Sequence, residues 1–254
     1  MPADADSSGR AAVVTVDGHA ALRLTVGTTA FTVVPEVGLL GASLTVRGRE
    51  YLDLHGGVAA ALGGHTTGLP LLSPWANRLE DLWRIGKRLV DLQGIDLHRD
   101  DNGLAIHGTM LGRAGWELIS VRTRPAVATA VFAFDAAADA EVMASFPFPH
   151  ELIVEFTLTE GRLTVATTIV ATGSRAVPVS FGWHPYFVLP DTARETIRLG
   201  LPARHRLVLD ERSLPTGEEI AEPASLDRIG ARSFDDGFRL GRERRLLLAA
   251  GRRR

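Results

Sequence analysis

Apolar and polar residues alternate along much of this chain, and no other feature limits its fold as strongly. In ELIVEFTLT, residues 151–159, Leu152, Val154, Phe156 and Leu158 share one face. In RLTVATTIV, residues 162–170, Leu163, Val165 and Ile169 do the same. A period of two belongs to the β-strand, whose successive side chains point to opposite faces. Glu160-Gly161 stands between the two runs, so together they read as a hairpin. Shorter runs of the same kind are VVTV (13–16), LRLTV (22–26), FTVV (31–34), SLTV (43–46), WELISV (116–121) and VATAVFAF (127–134). IRLGL (197–201), HRLVL (205–209) and RLLLA (245–249) follow later. Gly, Pro, Asp and Asn punctuate them. One short helix is expected around ADAEVMASF (138–146), stopped by Pro147. Strands recurring every ~8–12 residues with turn residues between them make an all-β sandwich or barrel.

Nothing repeats at a fixed period, and no low-complexity linker divides the chain. A single domain over residues 11–254 is therefore expected, behind a loose, small and polar tail at 1–10. The longest irregular stretch, residues 55–82, carries the Pro74-Trp75 pair and is expected to be a functional loop.

Composition removes several function classes. A chain of 254 residues buries about 70–75% of its unfolded surface and needs no covalent staples. It has no cysteine, which excludes disulfides, thiolate catalysis, zinc fingers and iron–sulfur ligation. Its 45% hydrophobic and 23% charged content excludes wholesale disorder. Twenty-eight basic against 30 acidic side chains leave a formal charge of −2, which argues against nucleic-acid or membrane-surface binding. No apolar run approaches the ~20 residues of a membrane span. MPADADSSGR lacks the basic start and apolar stretch of a signal peptide, so the cytoplasm is the expected compartment.

The candidates for chemistry are histidines, since there is no serine elbow, phosphate loop or cysteine. Of the eight, His55 and His65 lie ten apart in a glycine-rich segment, and no HxH or HExxH occurs, so no metal site is expected. His19, His98, His150 and His205 sit beside charged or turn residues and read as solvated. His184, in SFGWHPYFVLP (180–190), is flanked by Trp183, Pro185, Tyr186 and Phe187. It reads either as a packed structural histidine or as the titratable group of an aromatic-walled sugar site. His107 precedes Gly108, where a backbone or a ligand can approach closely, and reads equally as a turn histidine. Arg78, after Asn77, can grip hydroxyls or an anion, or form a surface ion pair with Glu80 or Asp81. Asp235-Asp236-Gly237 is turn chemistry whose carboxylates can also accept sugar hydroxyls.

Six motifs in order give the chain a family likeness: SPWANRLED (73–81), IHGTMLGRAGWEL (106–118), FPFPHELIVEFTLTEGRLTV (146–165), GWHPYF (182–187), LPTGE (214–218) and FDDGF (234–238). From about residue 25 onward the chain resembles the aldose 1-epimerases, the galactose mutarotases and their relatives. The resemblance implies a β-supersandwich of mostly antiparallel strands with an open sugar-binding cleft. It implies interconversion of the α and β anomers of a free hexose by acid–base ring opening and closure, with no cofactor. The partner it implies is a small sugar, with the protein a monomer or homodimer. The family's general acid falls on His184 and its orienting histidine on His107. Its sugar-binding arginine falls on Arg78 beside Asn77, and its sugar-binding aspartate on Asp235.

One part of the pattern is missing. The family's general base is a glutamate in a strand well after the FDDGF-like segment. Here the only acid after Phe238 is Glu243, in the charged turn GRERR, while Glu222-Pro223 precedes Asp235. No residue inherits the base, and the last strands of the domain are expected to be absent. Two further readings stay open beside the enzyme: a sugar-binding protein without catalysis, and a hexose-6-phosphate 1-epimerase with Arg113 as the added cation.

Overall fold

In a computed structural model, which describes residues 8–85 and 87–251, the strongest alternating runs form the expected hairpin. His150–Thr159 and Arg162–Ala171 pair antiparallel along their whole lengths, with Phe156 opposite Val165 and Leu158 opposite Leu163. Leu152, Val154, Phe156 and Leu158 are fully buried. Two further strands, Val127–Asp135 and then Glu117–Arg124, continue this sheet. A second antiparallel sheet runs in sequence order through Arg10–Val16, His19–Val26, Thr29–Val34, Leu40–Val46 and Arg49–Glu50. The inner faces share one core, in which Leu24, Phe31 and Val33 meet Phe132, Val154 and Phe156. Each side chain of that size stabilises the folded state by roughly 1.5–3 kcal/mol on burial. The hairpin turn also ties the two sheets together: Glu160 accepts from both the amide and the hydroxyl of Thr28.

Thr29–Val34 departs from alternation, being buried at every position. Phe31 and Val33 face the shared core, while Val34 packs with Leu40, Ala42, Val58 and Ala61 on the other side. Val58 and Ala61 belong to a helix, Gly57–Leu62, inside the stretch expected to be irregular. That expectation is corrected: the stretch 55–82 holds this helix and the short strands Leu71–Leu72 and Arg78–Leu79. GVAAAL has no amphipathic period, and no side chain of its own caps it. Asp17, 41 residues earlier, accepts from the Val58 amide at 2.9 Å and stands in for a cap. The expected helix forms at Ala140–Ser145, where Asp139 accepts from the Glu141 and Val142 amides.

The chain divides into two compact units, Met1–Val188 and Leu189–Arg254. The first contains the sandwich above. In the second, Arg198–Leu201 lies between Ser225–Arg228 and Leu247–Ala249, and Arg204–Leu209 lies between Pro215–Glu222 and Phe238–Leu240. Pro215–Glu222 was not legible as a strand because it is polar and exposed along nearly its whole length. Arg206 Nε donates to Glu222 Oε1 at 2.9 Å across this pair. The expected tail falls mainly on residues 1–7, outside the described residues; Ser8 bridges Pro125, and Arg10 begins the first strand. No helix among the described residues is long and apolar enough to cross a membrane.

Candidate active site

The segment 182–188 is held from both sides by backbone hydrogen bonds. Gly182 and Trp183 pair with Leu72 and Leu71, and the ladder continues as His184 N to Pro70 O (3.1 Å) and Tyr186 N to Gly68 O (2.8 Å). On the other side Asp53 N donates to Tyr186 O, and Val188 N to Tyr51 O. Extended backbone sends neighbours to opposite faces. Trp183 therefore turns inward, with its ring 5.9 Å from Phe156 and Nε1 donating to Thr167 Oγ1 at 3.0 Å. His184 and Tyr186 share the other face, with ring centroids 5.0 Å apart. The expected aromatic wall is corrected accordingly: Trp183, partly buried, packs against the core, and Tyr186 stands beside the histidine.

His107 arrives on a separate pair of strands. Ala105–Ile106 lies antiparallel to Arg78–Leu79, and beyond them His107 N donates to Asn77 O at 3.0 Å. Asn77 returns the contact, its amide donating to His107 Nδ1 at 3.3 Å. That acceptor role leaves the proton of a neutral His107 on Nε2, as a donor. Asn77 and His107 both have left-handed backbones, with φ of 63° and 66°. Such strain in non-glycine residues persists only where surrounding structure enforces it, and it gathers at functional sites. Gly108 is part of the enforcement. Its φ is 72°, and a Cβ there would stand 2.1 Å from the Ser73 carbonyl oxygen, so only glycine lets the two backbones meet.

Arg78 donates from Nε to Asp100 Oδ2 at 2.6 Å and from Nη1 to Asn77 Oδ1 at 3.2 Å. Asp81 pairs with Arg99. Asp100 is a residue that sequence reasoning missed, since DDNG looks like simple turn chemistry and lies 22 positions from Arg78. Burial by itself raises the Asp100 carboxyl. The Arg78 hydrogen bond, the Leu104 and Asn102 amides and the Arg78 charge outweigh it and hold the pKa below its ordinary value. The pair therefore stabilises the fold at neutral pH, and that contribution is lost as the pH falls through the lowered value.

The two imidazoles meet: His107 and His184 lie 5.6 Å apart, ring centroid to ring centroid, edge to face. Asn77 and Arg78 join them through the contacts above. His184 Nδ1 is buried without a hydrogen-bond partner among the described residues. His55, read from sequence only as a loop histidine, stands edge-on to Tyr186 at 4.8 Å with Asp53 3.8 Å from its Nδ1. Asp235 belongs to the second unit, two residues before Gly237, whose carbonyl accepts from Leu207 N. Among the described residues no group of three or more His, Asp or Glu could hold a metal ion.

A family model described as Aldose 1-epimerase matches residues 42–242. The chain belongs to the aldose 1-epimerase family. Solved structures agree on the fold. A galactose mutarotase-like protein from Clostridium acetobutylicum superposes with a TM-score of 0.73 at 22% identity, over 84% of this chain and 65% of that one. A galactose 1-epimerase from Lactobacillus acidophilus NCFM gives 0.70 at 17%, over 95% and 77%. A galactose mutarotase related enzyme from Lactobacillus acidophilus gives 0.68 at 18%, over 91% and 73%. The chain thus spans just under two thirds of the first of these relatives.

Elsewhere in this chain of the aldose 1-epimerase family one histidine overturns its reading. His150 is not solvated but 1% exposed, with Nδ1 2.6 Å from the Phe148 carbonyl oxygen. It occupies the same inward parity as Leu152 and Val154, which outweighs its charged neighbour Glu151. Burial lowers its pKa more than the Phe148 carbonyl and the Asp135 charge raise it. The folded state then binds fewer protons here than the unfolded chain, so stability should fall as the pH drops below 6.5. Urea unfolding at about pH 7.5 and about pH 5.5 measures this. His150→Gln should flatten the dependence, and an equal slope in both proteins would place its origin elsewhere.

Proposed function

We propose that this chain binds a free hexose at His107 and His184 and promotes exchange of its anomers. The carrying observation is the 5.6 Å separation of the two imidazoles, close enough for both to touch one pyranose ring. His184 gives a proton to the ring oxygen as the C1–O5 bond breaks, and takes it back on closure. His107, fixed by the Asn77 amide as an Nε2 donor, orients the sugar. Arg78 and Asn77 hold hydroxyls on the same side.

The proton leaving the anomeric hydroxyl needs an acceptor. Glu243 is exposed and accepts from the Arg245 amide at 2.8 Å in its own turn. Among the described residues no carboxylate is assigned to take that proton, and the reading gives it to water. The engagement of Glu243 within its own turn favours the second reading, a sugar-binding protein without catalysis. A phosphorylated substrate has less support, because the guanidinium of Arg113 is already engaged. It donates to Thr109 O, Asp139 Oδ2 and Glu141 Oε2 at 2.7–2.8 Å.

Polarimetry on freshly dissolved α-glucose and α-galactose tests the enzyme reading. Mutarotation faster than buffer supports it. Binding by calorimetry with no acceleration transfers support to the binding protein, and absence of both refutes the two readings. Arg78→Ala should weaken sugar affinity by about 1.5–3 kcal/mol, the worth of charged hydrogen bonds in a shielded site. Equal affinity would reduce Arg78 to the structural partner of Asp100.

A further inference from the structure

Tyr186 is held on every side. Its backbone bonds to Gly68 and Asp53, and its hydroxyl lies 2.6 Å from Thr66 Oγ1. One neighbour of its ring is His184, stacked at 29° and 5.0 Å; the other is His55, edge-on. His184 lacks the usual fixture of a working histidine, a partner on the ring nitrogen away from the substrate, since its buried Nδ1 has none among the described residues. The imidazole torsion is otherwise broad and roughly two-fold. We propose that Tyr186 is the positioning residue of His184: its clamped ring sets the imidazole plane by stacking, and Thr66 is the clamp. The inference rests on His184 being the proton donor of the reading above. Neither Thr66 nor Tyr186 need touch the sugar for this role. Acid catalysis depends on geometry steeply enough that small tilts of the donor lower the rate.

Four variants separate positioning from plain structure. Thr66→Val keeps the shape and removes the clamp, and Tyr186→Phe does so from the other side. Each should lower kcat for mutarotation about 3–10-fold, the rate equivalent of one net hydrogen bond, with KM within about twofold. The double variant should lose no more than either single one. Thr66→Ser, which keeps the hydroxyl, should restore the rate, and Tyr186→Leu, which removes the stack, should lose more. Independently of activity, NMR of labelled histidine should find the His184 ring protons shifted by the Tyr186 ring current, and that shift should shrink in Thr66→Val. Unchanged kcat in an active protein overturns the positioning role and leaves the proposed function standing. An inactive wild-type protein overturns the function, and the ring-current shift then decides the clamp by itself: a shift that Thr66→Val leaves intact overturns it.

Discussion

Replacing His184 by asparagine should return anomer interconversion to the rate in buffer alone. A general acid contributes typically 10²–10⁴-fold, and in the proposed reaction His184 is the group that protonates the ring oxygen. Asparagine keeps polarity and approximate size, so the β-ladder through the His184 amide and the Pro70 carbonyl should survive. Sugar affinity should change little, because Asn77, Arg78 and His107 remain in place through their own contacts. The expected signature is therefore a loss of kcat with binding retained. Polarimetry and calorimetry on the same preparations read the two halves. A variant that mutarotates as fast as the wild type would remove His184 from the chemistry, whatever its position.

Phe156→Ala should give the largest loss of stability. Phe156 is fully buried where the sheets meet, 4.9 Å from Phe31, 6.1 Å from Phe132 and 5.9 Å from Trp183. Removing a buried phenylalanine forfeits its transfer energy and leaves a cavity between two sheets whose backbones cannot close over it. The cost is about 3–5 kcal/mol. At ~2–4 °C per kcal/mol for a protein of this size, the thermal midpoint should fall by about 6–20 °C. Trp183 also reports locally, since its indole loses a neighbour and its fluorescence should shift before global unfolding. The change should reach the site as well, because Trp183 and His184 are adjacent in sequence. A loss under about 1 kcal/mol in urea would mean that the core repacks around the vacancy, contrary to this account.

The sheets were legible because their cause is local. Alternation in 151–159 and 162–170 specifies which face is apolar, and a one-residue slip would expose Phe156 and Val165 together, so register follows from pattern. His150 was legible by the same rule, for it shares the parity of Leu152; weighing its charged neighbour above its parity produced the wrong reading. His107, His184, Asn77 and Arg78 could be named from their motifs, and family membership now covers the segment that carries them.

What the sequence by itself determined is thus the alternating strands, their apolar faces and the identity of the candidate side chains. Only the tertiary structure decided which groups meet: Asp17 at the start of the helix Gly57–Leu62, Asp100 on Arg78, Thr66 on Tyr186, and the two imidazoles on each other. It also decided that Trp183 packs against the core and that the Arg113 guanidinium is engaged. The physical reason is common to these cases. A strand face is written in consecutive residues. A polar contact between residues 22 to 120 positions apart exists only after sheet pairing has closed the intervening chain, and a short polar motif reads the same before and after that closure.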